Sequence, residues 1–459
     1  MAIAGTGNSG SDDGRVTGQQ WRWTALAAMA SYIDAGSIVA IAAGLALWQE
    51  YLGMSSTTIG LLAAFGPNAV GAAIGAVVGG RLGDLLGRKR IYQYDLLLYA
   101  FGTLWMVFAF NTPMLFIGTF LVGVAVGADV PTSLALVGEF APSRARSKLL
   151  GLTQVFWSLG PIVTLLIALV LAPYGLLGIR IVFSHLFVVA IVTWALRRGM
   201  VESAVWTAAS GSGASDETPD SGERASEPRD PLAGRNLRNL FNGYTFRAIV
   251  FTAVVYTFWN MAAGTYGFFL PYFLNTMGLE SQAADVALQS LWFFTTLVFV
   301  VLIFMPLSDG RYRRLIFGVG AVCQIVAFLL LVFFPLDGPA GFNVLAAVAN
   351  IFLFGIGAAL AGEPHYKVWS QELFPTMLRT TAQGLTFAVA RTCLGIWSFF
   401  VPVIAEAGFE WVALILVIFL SISGIVGLLF MPNTAGKSLE EIEAERSGDA
   451  HAPATAASS

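Results

Sequence analysis

Long apolar stretches constrain the fold of this chain more than any other feature. Of its 459 residues 56% are hydrophobic and 12% are charged, which is more apolar surface than a soluble protein of this length can bury. Each stretch is long enough to cross about 30 Å of hydrocarbon as a helix. The sequence therefore predicts an all-α membrane protein with twelve transmembrane helices. The stretches lie at 24–49, 57–80, 91–110, 114–138, 149–172, 176–197, 246–274, 283–307, 314–335, 344–369, 381–404 and 411–431.

Basic residues are concentrated in the loops on one side of the predicted membrane. These loops follow the second, fourth, sixth, eighth and tenth stretches, whereas the loops on the other side hold only Arg180. Loops rich in Lys and Arg remain in the cytoplasm. We therefore expect a multi-pass protein of the plasma or inner membrane with both termini in the cytoplasm.

One loop motif occurs twice in this chain. The two copies are related by a constant displacement of 233 positions, and they lie in different halves. Two similar helix bundles that move about a site between them are a common transporter design. The copies are Glu139-x-x-Pro142-x-x-x-Arg146 and Glu372-x-x-Pro375-x-x-x-Arg379.

A polar segment rich in Ser and Gly separates the halves and is typical of a flexible linker. We expect an N-terminal tail (1–23), a six-helix bundle (24–201), the linker (202–240), a second six-helix bundle (241–432) and a C-terminal tail (433–459). In that tail, Ser438 is placed to cap a short helix.

Three loop motifs carry a resemblance to a known family. A Gly-Asp-Gly-Arg-Lys pattern joins the second and third stretches, and a degenerate copy joins the eighth and ninth. With the duplicated Glu/Arg motif and the tail motif, they make the chain similar to the major facilitator superfamily and, within it, to sugar porters such as bacterial proton-coupled inositol transporters. The motifs are Gly80-Arg81-Leu-Gly-Asp84-Leu-Leu-Gly87-Arg88-Lys89-Arg90, Ser308-Asp309-Gly310-Arg311-Tyr-Arg313-Arg314 and Pro432-Asn-Thr-Ala-Gly436-Lys437-Ser438.

The resemblance implies that charged loop residues form a gating network that holds the outward-facing state. Simple anchoring of the topology is the alternative, although acidic residues contribute little to orientation. The implied gating residues are Asp84, Arg88, Glu139, Arg146, Asp309, Glu372 and Arg379.

Asp34 lies in the middle of the first apolar stretch. An ionised acid there costs at least about 2.5–3.5 kcal/mol unless it is paired or solvated. The resemblance implies a proton-coupling role for Asp34, and a structural hydrogen-bonded acid is the alternative. Sugar porters usually carry a partner Arg where this chain has Thr119. A second acid, Asp129, occupies the same stretch and is a candidate to share the proton or to bind substrate.

Further charges lie in the tenth and eleventh stretches. Pro364 is expected to break the helix, and Glu363 and Lys367 are spaced to pair on one face. Arg391 lies inside the eleventh stretch. A charged cavity wall and a buried ion pair that fixes helix packing are both open interpretations of these residues.

A sugar or polyol site needs amide side chains for hydroxyl groups and aromatic faces for C–H surfaces. Sugar porters place a Gln where this chain has Gln154. The other candidates are amide, aromatic or charged side chains in the apolar stretches, and for the aromatic ones a packing or lipid-facing position is the alternative. The candidate substrate-binding residues are Gln154, Trp157, Trp259, Asn260, Gln289, Glu363, Arg391 and Trp397.

The predicted function is proton-driven uptake of inositol or a related sugar or polyol by a monomer in the lipid bilayer. No nucleophile, nucleotide, nucleic-acid or metal-site motif is present, so neither an enzyme nor a cofactor is implied. A proton-coupled organic-acid transporter is the main alternative, favoured by Arg391. A nutrient sensor would need a larger signalling domain than the linker and tail supply, and export remains open.

Overall fold

The computed structural model describes residues 15–55, 58, 61–62, 69–200, 202–209, 237–241, 243–276, 282–334, 337–338 and 341–447. Most of the N-terminal tail, most of the predicted linker and the last residues of the C-terminal tail lie outside these ranges. The described chain is almost entirely helical. Strands β1 (Asp337–Gly338) and β2 (Gly341–Phe342) form one short antiparallel pair.

Six long helices form the N-terminal half of the described chain. They are α1 (Gly18–Leu52), α2 (Val70–Leu86), α3 (Arg88–Val107), α4 (Thr112–Phe140), α5 (Arg146–Val170) and α6 (Leu176–Arg197). Within the range predicted as linker, a short helix (Ala204–Ala209) and a 3-10 turn (Leu237–Phe241) are described.

The C-terminal half repeats this arrangement with one broken helix. It contains α7 (Gly243–Thr276), α8 (Gln282–Phe299), α9 (Arg313–Phe333), α10 (Val344–Ala361), α11 (Glu363–Leu373), α12 (Arg379–Glu406) and α13 (Phe409–Phe430), followed by α14 (Leu439–Ser447). A π-helical turn (Val300–Phe304) extends α8.

Ten spans within the described residues are long and apolar enough to cross a membrane, with α10 and α11 counted as one span. The helices α2 and α3 are not among these ten. Part of the stretch before α2 lies outside the described residues, and α3 begins with a cluster of basic side chains. The multi-pass helical class is confirmed, whereas the count of twelve remains a prediction.

The most extensive helix contacts between the halves pair α2 with α12 and α5 with α8. The first pair depends on glycine. A Cβ atom at Gly384 would lie 2.1 Å from the carbonyl oxygen of Ala76, and one at Gly80 would lie 2.4 Å from that of Thr380. Since real Cβ atoms do not approach this closely, only glycine permits this contact. Within the N-terminal half, Gly75 allows the same close packing of α2 on α4.

The break in the tenth span occurs where the sequence predicted it. Gly362 separates α10 from α11 with φ −106° and ψ −143°, and Pro364 follows in the first turn of α11. A proline fits that turn because its missing N–H would have no helical partner there. The tail helix α14 is also confirmed, since Ser438 Oγ accepts a hydrogen bond from the Glu441 N–H at 3.1 Å.

The contact between α2 and α12 gives a first testable prediction. We expect Gly384→Ala to lower the free energy of unfolding by about 1–3 kcal/mol, because the added methyl group has no space. The control is Gly318→Ala on α9, where a Cβ atom would lie 3.5 Å from Leu428. That substitution should stabilise α9 by about 1 kcal/mol through helix propensity. Thermal unfolding of the purified protein should show shifts of opposite sign, and equal shifts would contradict the packing argument.

Candidate functional site

A cavity lies between the two halves, near the middle of the helices that line it. In this arrangement of the halves the cavity is small, with a volume of about 30 Å³. Residues of α1, α5, α7, α8, α11 and α12 form the wall. They are Ala35, Ile38, Val39, Trp157, Pro161, Tyr256, Trp259, Asn260, Ala263, Gly264, Gly267, Trp292, Phe293, Glu363 and Arg391.

Aromatic rings form much of this wall and hold one another in place. Tyr256 stacks on Tyr366 with ring centroids 3.8 Å apart. Trp259 stacks on Tyr256 with ring centroids 6.0 Å apart. Trp157 meets Trp292 edge to face at 6.1 Å across the two halves. Rigid aromatic surfaces of this kind suit the C–H faces of a ring compound.

Several polar atoms of the wall are buried and have no hydrogen-bond partner among the described residues. Among them are the indole N–H groups of Trp259 and Trp292 and the amide oxygen of Asn260. The amide nitrogen of Asn260 lies 3.5 Å from the Tyr256 hydroxyl group. Since a buried polar group without a partner is unfavourable, these atoms are suited to bind hydroxyl groups of a ligand.

Four charged side chains meet at the cavity. Asp34 Oδ2 lies 3.6 Å from an Arg391 guanidinium nitrogen, and Glu363 Oε1 lies 3.6 Å from Lys367 Nζ. Lys367 Nζ also donates a hydrogen bond to Gln154 Oε1 at 2.9 Å. Asp34 and Gln154 belong to the N-terminal half, whereas Arg391 and Lys367 belong to the C-terminal half. Two polar contacts therefore join the halves beside the cavity.

Asp129 lies in a separate buried cluster inside the N-terminal half. Its Oδ2 atom is 3.0 Å from an Arg197 guanidinium nitrogen, which is also 3.8 Å from Asp95 Oδ1. The ring of Tyr92 covers that guanidinium at 3.7 Å. The structure therefore does not bring Asp129 beside Asp34. The ion pair with Arg197 stabilises the buried carboxylate of Asp129 within α4.

Two further candidates are not among the residues that line the cavity. The indole N–H of Trp397 donates to Thr265 Oγ1 at 2.7 Å. The side-chain amide of Gln289 donates to the Gly267 carbonyl oxygen at 3.2 Å. Both side chains connect α7 to a neighbouring helix. The sequence analysis named both as candidate substrate-binding residues, but the structure does not place them on the wall.

The predicted gating residues form a second polar contact region, which we call the basic-end network. It lies at the end of the bundle that carries the basic loops. Its members are Asp84, Arg88, Glu139, Arg146, Asp309, Arg313, Glu372 and Arg379. All of them are buried except Asp309, which is partly buried.

The network is reciprocal between the halves. Glu139 accepts a hydrogen bond from Arg379 of the other half at 2.8 Å, and Glu372 accepts one from Arg146 at 3.4 Å. Within its own half each glutamate also binds a second arginine. Arg88 lies 3.1 Å from Glu139, and Arg313 lies 2.8 Å from Glu372. The duplicated motif thus folds into two crossed ion pairs.

The acids of the loop motifs cap helices of the opposite half. Asp84 accepts from the Thr381 N–H at 2.7 Å, at the start of α12. Asp309 accepts from the Ser147 N–H at 2.9 Å, at the start of α5. A carboxylate at a helix N-terminus satisfies N–H groups that have no helical partner. Burial raises the pKa of Asp309 despite these hydrogen bonds.

Sequence reasoning missed several members of this region. Arg313 could have been found, because it occupies the position of Arg88 in the degenerate loop copy. Glu202 accepts hydrogen bonds from the backbone of Arg88 and Lys89 at 3.1 Å, and Trp206 donates to the Asp84 carbonyl oxygen at 3.1 Å. These two residues lie in the range predicted as linker, where composition alone gave no reason to expect contacts.

Known proteins resemble this chain over most of its length. The family model described as "Sugar (and other) transporter" matches residues 23–445. The minor myo-inositol transporter IolF of Bacillus subtilis is 40% identical over 428 residues, covering 93% of this chain and 94% of that protein. The glucose transporter GlcP of Staphylococcus epidermidis is 25% identical, and the match covers 85% of this chain and 89% of that protein.

A solved structure shares the fold. The proton:xylose symporter XylE, bound to 6-bromo-6-deoxy-D-glucose, superimposes with a TM-score of 0.77 at 18% identity. The match covers 93% of this chain and 98% of that chain. A second structure of XylE, from E. coli in a partially occluded inward open conformation, gives a TM-score of 0.69.

The basic-end network gives a second testable prediction. Glu139→Gln leaves the Arg88 and Arg379 guanidinium groups without their shared carboxylate in a buried site. We expect the arrangement in which this network joins the halves to become less stable by about 3–5 kcal/mol. Hydrogen exchange of the backbone around 376–381 should therefore become faster.

The matched control for this variant is Glu445→Gln. Glu445 pairs with Lys437 at 2.7 Å, but its side chain is 61% exposed. An exposed pair contributes about 0–1 kcal/mol, so this variant should leave exchange nearly unchanged. Unchanged exchange in Glu139→Gln as well would show that the network does not hold the halves together.

Proposed function

The chain belongs to the sugar (and other) transporter family, the sugar porters of the major facilitator superfamily, and on that basis we propose that it imports a polyol or sugar, with inositol as the first candidate, together with protons. As a multi-pass protein of the cell membrane and a member of a transporter family, it is not an enzyme. The observation that carries the proposal is the ion pair between Asp34 and Arg391, which joins the halves at the cavity.

The cavity supports a hydroxylated ring as the substrate. Stacked aromatic rings supply flat apolar surfaces, and Asn260, Trp259 and Trp292 supply polar atoms without partners among the described residues. The inositol candidate also rests on the relative IolF, whose name states myo-inositol transport. Gln154 is a further candidate contact, because a substrate that reached it would replace its hydrogen bond to Lys367.

Asp34 supports the coupling to protons. It is 2% exposed and lies near the middle of α1, where a charge needs a partner. At the distance of this ion pair the gross attraction is about 4 kcal/mol at an effective dielectric constant of 20. Two conformations of one protein commonly differ by only a few kcal/mol. Loss of this attraction on protonation is therefore large enough to change which arrangement of the halves is favoured.

We assign the basic end to the cytoplasmic side, as the loop charges predicted. The two bundles (24–201 and 241–432) are the parts that move relative to each other. The basic-end network then closes the cytoplasmic side while substrate and proton enter from outside. Protonation of Asp34 weakens the pair with Arg391 and favours separation of the halves. Substrate and proton leave on the cytoplasmic side, where the pair forms again.

The coupling role of Asp34 is a third testable prediction. We expect Asp34→Asn to exchange labelled inositol across proteoliposome membranes but to lose its accumulation under an imposed pH gradient. Exchange remains because the cavity wall is intact, and it also shows that the variant is folded. Accumulation is lost because an amide cannot take up and release the driving proton.

Asp129→Asn is the matched control, since it removes another buried acid that lies away from the cavity. It should keep gradient-driven accumulation. Full accumulation by Asp34→Asn, or loss of accumulation by Asp129→Asn alone, would assign the coupled proton to a different group.

A further inference from the structure

The charges at the cavity balance one another. Among the described residues, two acids and two bases meet there, and each is at most 4% exposed. They are Asp34, Glu363, Lys367 and Arg391. The phenols of Tyr99 and Tyr256 also face Asp34, and they carry no charge at neutral pH. The cluster therefore has no net charge when Asp34 is ionised.

Protonation of Asp34 leaves one positive charge in excess. Glu363, which lies 3.6 Å from Lys367, carries a single negative charge and therefore does not neutralise both bases. An unbalanced charge in a buried site costs several kcal/mol. A neutral polyol cannot remove this cost with its hydroxyl groups, whereas a carboxylate can.

We propose that the preferred substrates are ring polyols that carry one carboxylate, such as sugar acids, and that Arg391 binds this carboxylate when Asp34 is protonated. The inference rests on the proposed function, because it needs proton uptake at Asp34. The guanidinium group of Arg391 lines the cavity and is held over the ring of Phe387 at 4.7 Å. A planar guanidinium group binds a carboxylate with two parallel hydrogen bonds.

The rest of the wall fits the remainder of such a molecule. Trp259 and Trp292 present indole N–H donors, and Asn260 presents a carbonyl acceptor, all without partners among the described residues. These groups suit ring hydroxyls, while the stacked pair of Tyr256 and Tyr366 suits the ring face. An acid without hydroxyl groups would leave the indole and amide groups unsatisfied.

A matched pair of competitors tests the proposal with the unmodified protein. D-glucuronate and D-glucose differ by a carboxylate in place of one CH₂OH group. In proteoliposomes under a pH gradient, we expect D-glucuronate to inhibit labelled inositol uptake at a concentration at least about tenfold lower than D-glucose. The advantage should grow as the external pH falls from 8 to 6, since protonation of Asp34 removes the negative charge beside Arg391 while glucuronate remains ionised.

Charge movement gives a second measurement that needs no variant. Inositol that enters with protons carries net positive charge into the vesicle. Glucuronate that enters with the same number of protons carries one positive charge fewer. We therefore expect a smaller current per molecule for glucuronate on supported membranes.

Two variants test whether Arg391 is the group that produces the preference for a carboxylate. Arg391→Gln should lose the advantage of glucuronate over glucose in binding, measured as ligand-induced thermal stabilisation, and Arg391→Lys should retain part of it. Arg180→Gln is the control and should keep the advantage, because Arg180 lies away from the cavity and donates its hydrogen bond to the Ala109 carbonyl oxygen at 2.9 Å.

The outcomes separate the two proposals. If inositol accumulates with the pH gradient but glucuronate competes no better than glucose, the carboxylate preference is wrong and the proposed function stands. If neither labelled compound accumulates with the gradient, the proposed function fails as well. An advantage that survives in Arg391→Gln would also overturn the assignment to Arg391.

Discussion

A charge buried in a membrane protein needs a partner within a few ångströms, and in this protein key partners come from the opposite half. Asp34 forms an ion pair with Arg391, Glu139 with Arg379, and Glu372 with Arg146. Each of these pairs can exist only while the two halves are close together. The same physical requirement therefore makes the fold stable in one arrangement and makes that arrangement sensitive to the loss of a single charge.

The two contact regions between the halves differ in chemistry. At the basic end, most charged groups have several partners, and glycines bring α2 and α12 into backbone contact. Neither feature depends on a ligand. At the cavity, in contrast, only Asp34–Arg391 and Gln154–Lys367 join the halves by polar contacts among the described residues, and several polar atoms have no partner. The first region suits a closed gate, and the second suits a site whose contacts change as ligands enter.

Much of the fold could be predicted from the sequence because apolar length, loop charge and helix breaks are local properties. The break at Gly362, the cap of α14 and the helix class are confirmed for that reason. The motif copies also identified the glutamates and arginines that meet at the basic end. The partner of Asp34 could not be predicted, because Arg391 lies in another helix far along the chain. Trp397 and Gln289 show the same limit, since composition does not say which way a side chain points.

The segment between α13 and α14 is part of the folded protein, although its composition is that of a tail. Thr434 Oγ1 donates a hydrogen bond to Glu372 Oε2 at 2.5 Å, and the carbonyl oxygen of Lys437 accepts one from Arg146 at 3.2 Å. A fluorescent reporter or purification tag fused directly after the last membrane helix would remove both contacts. A fusion placed after α14 would keep them, so the position of a tag decides whether the measured protein has its native balance of conformations.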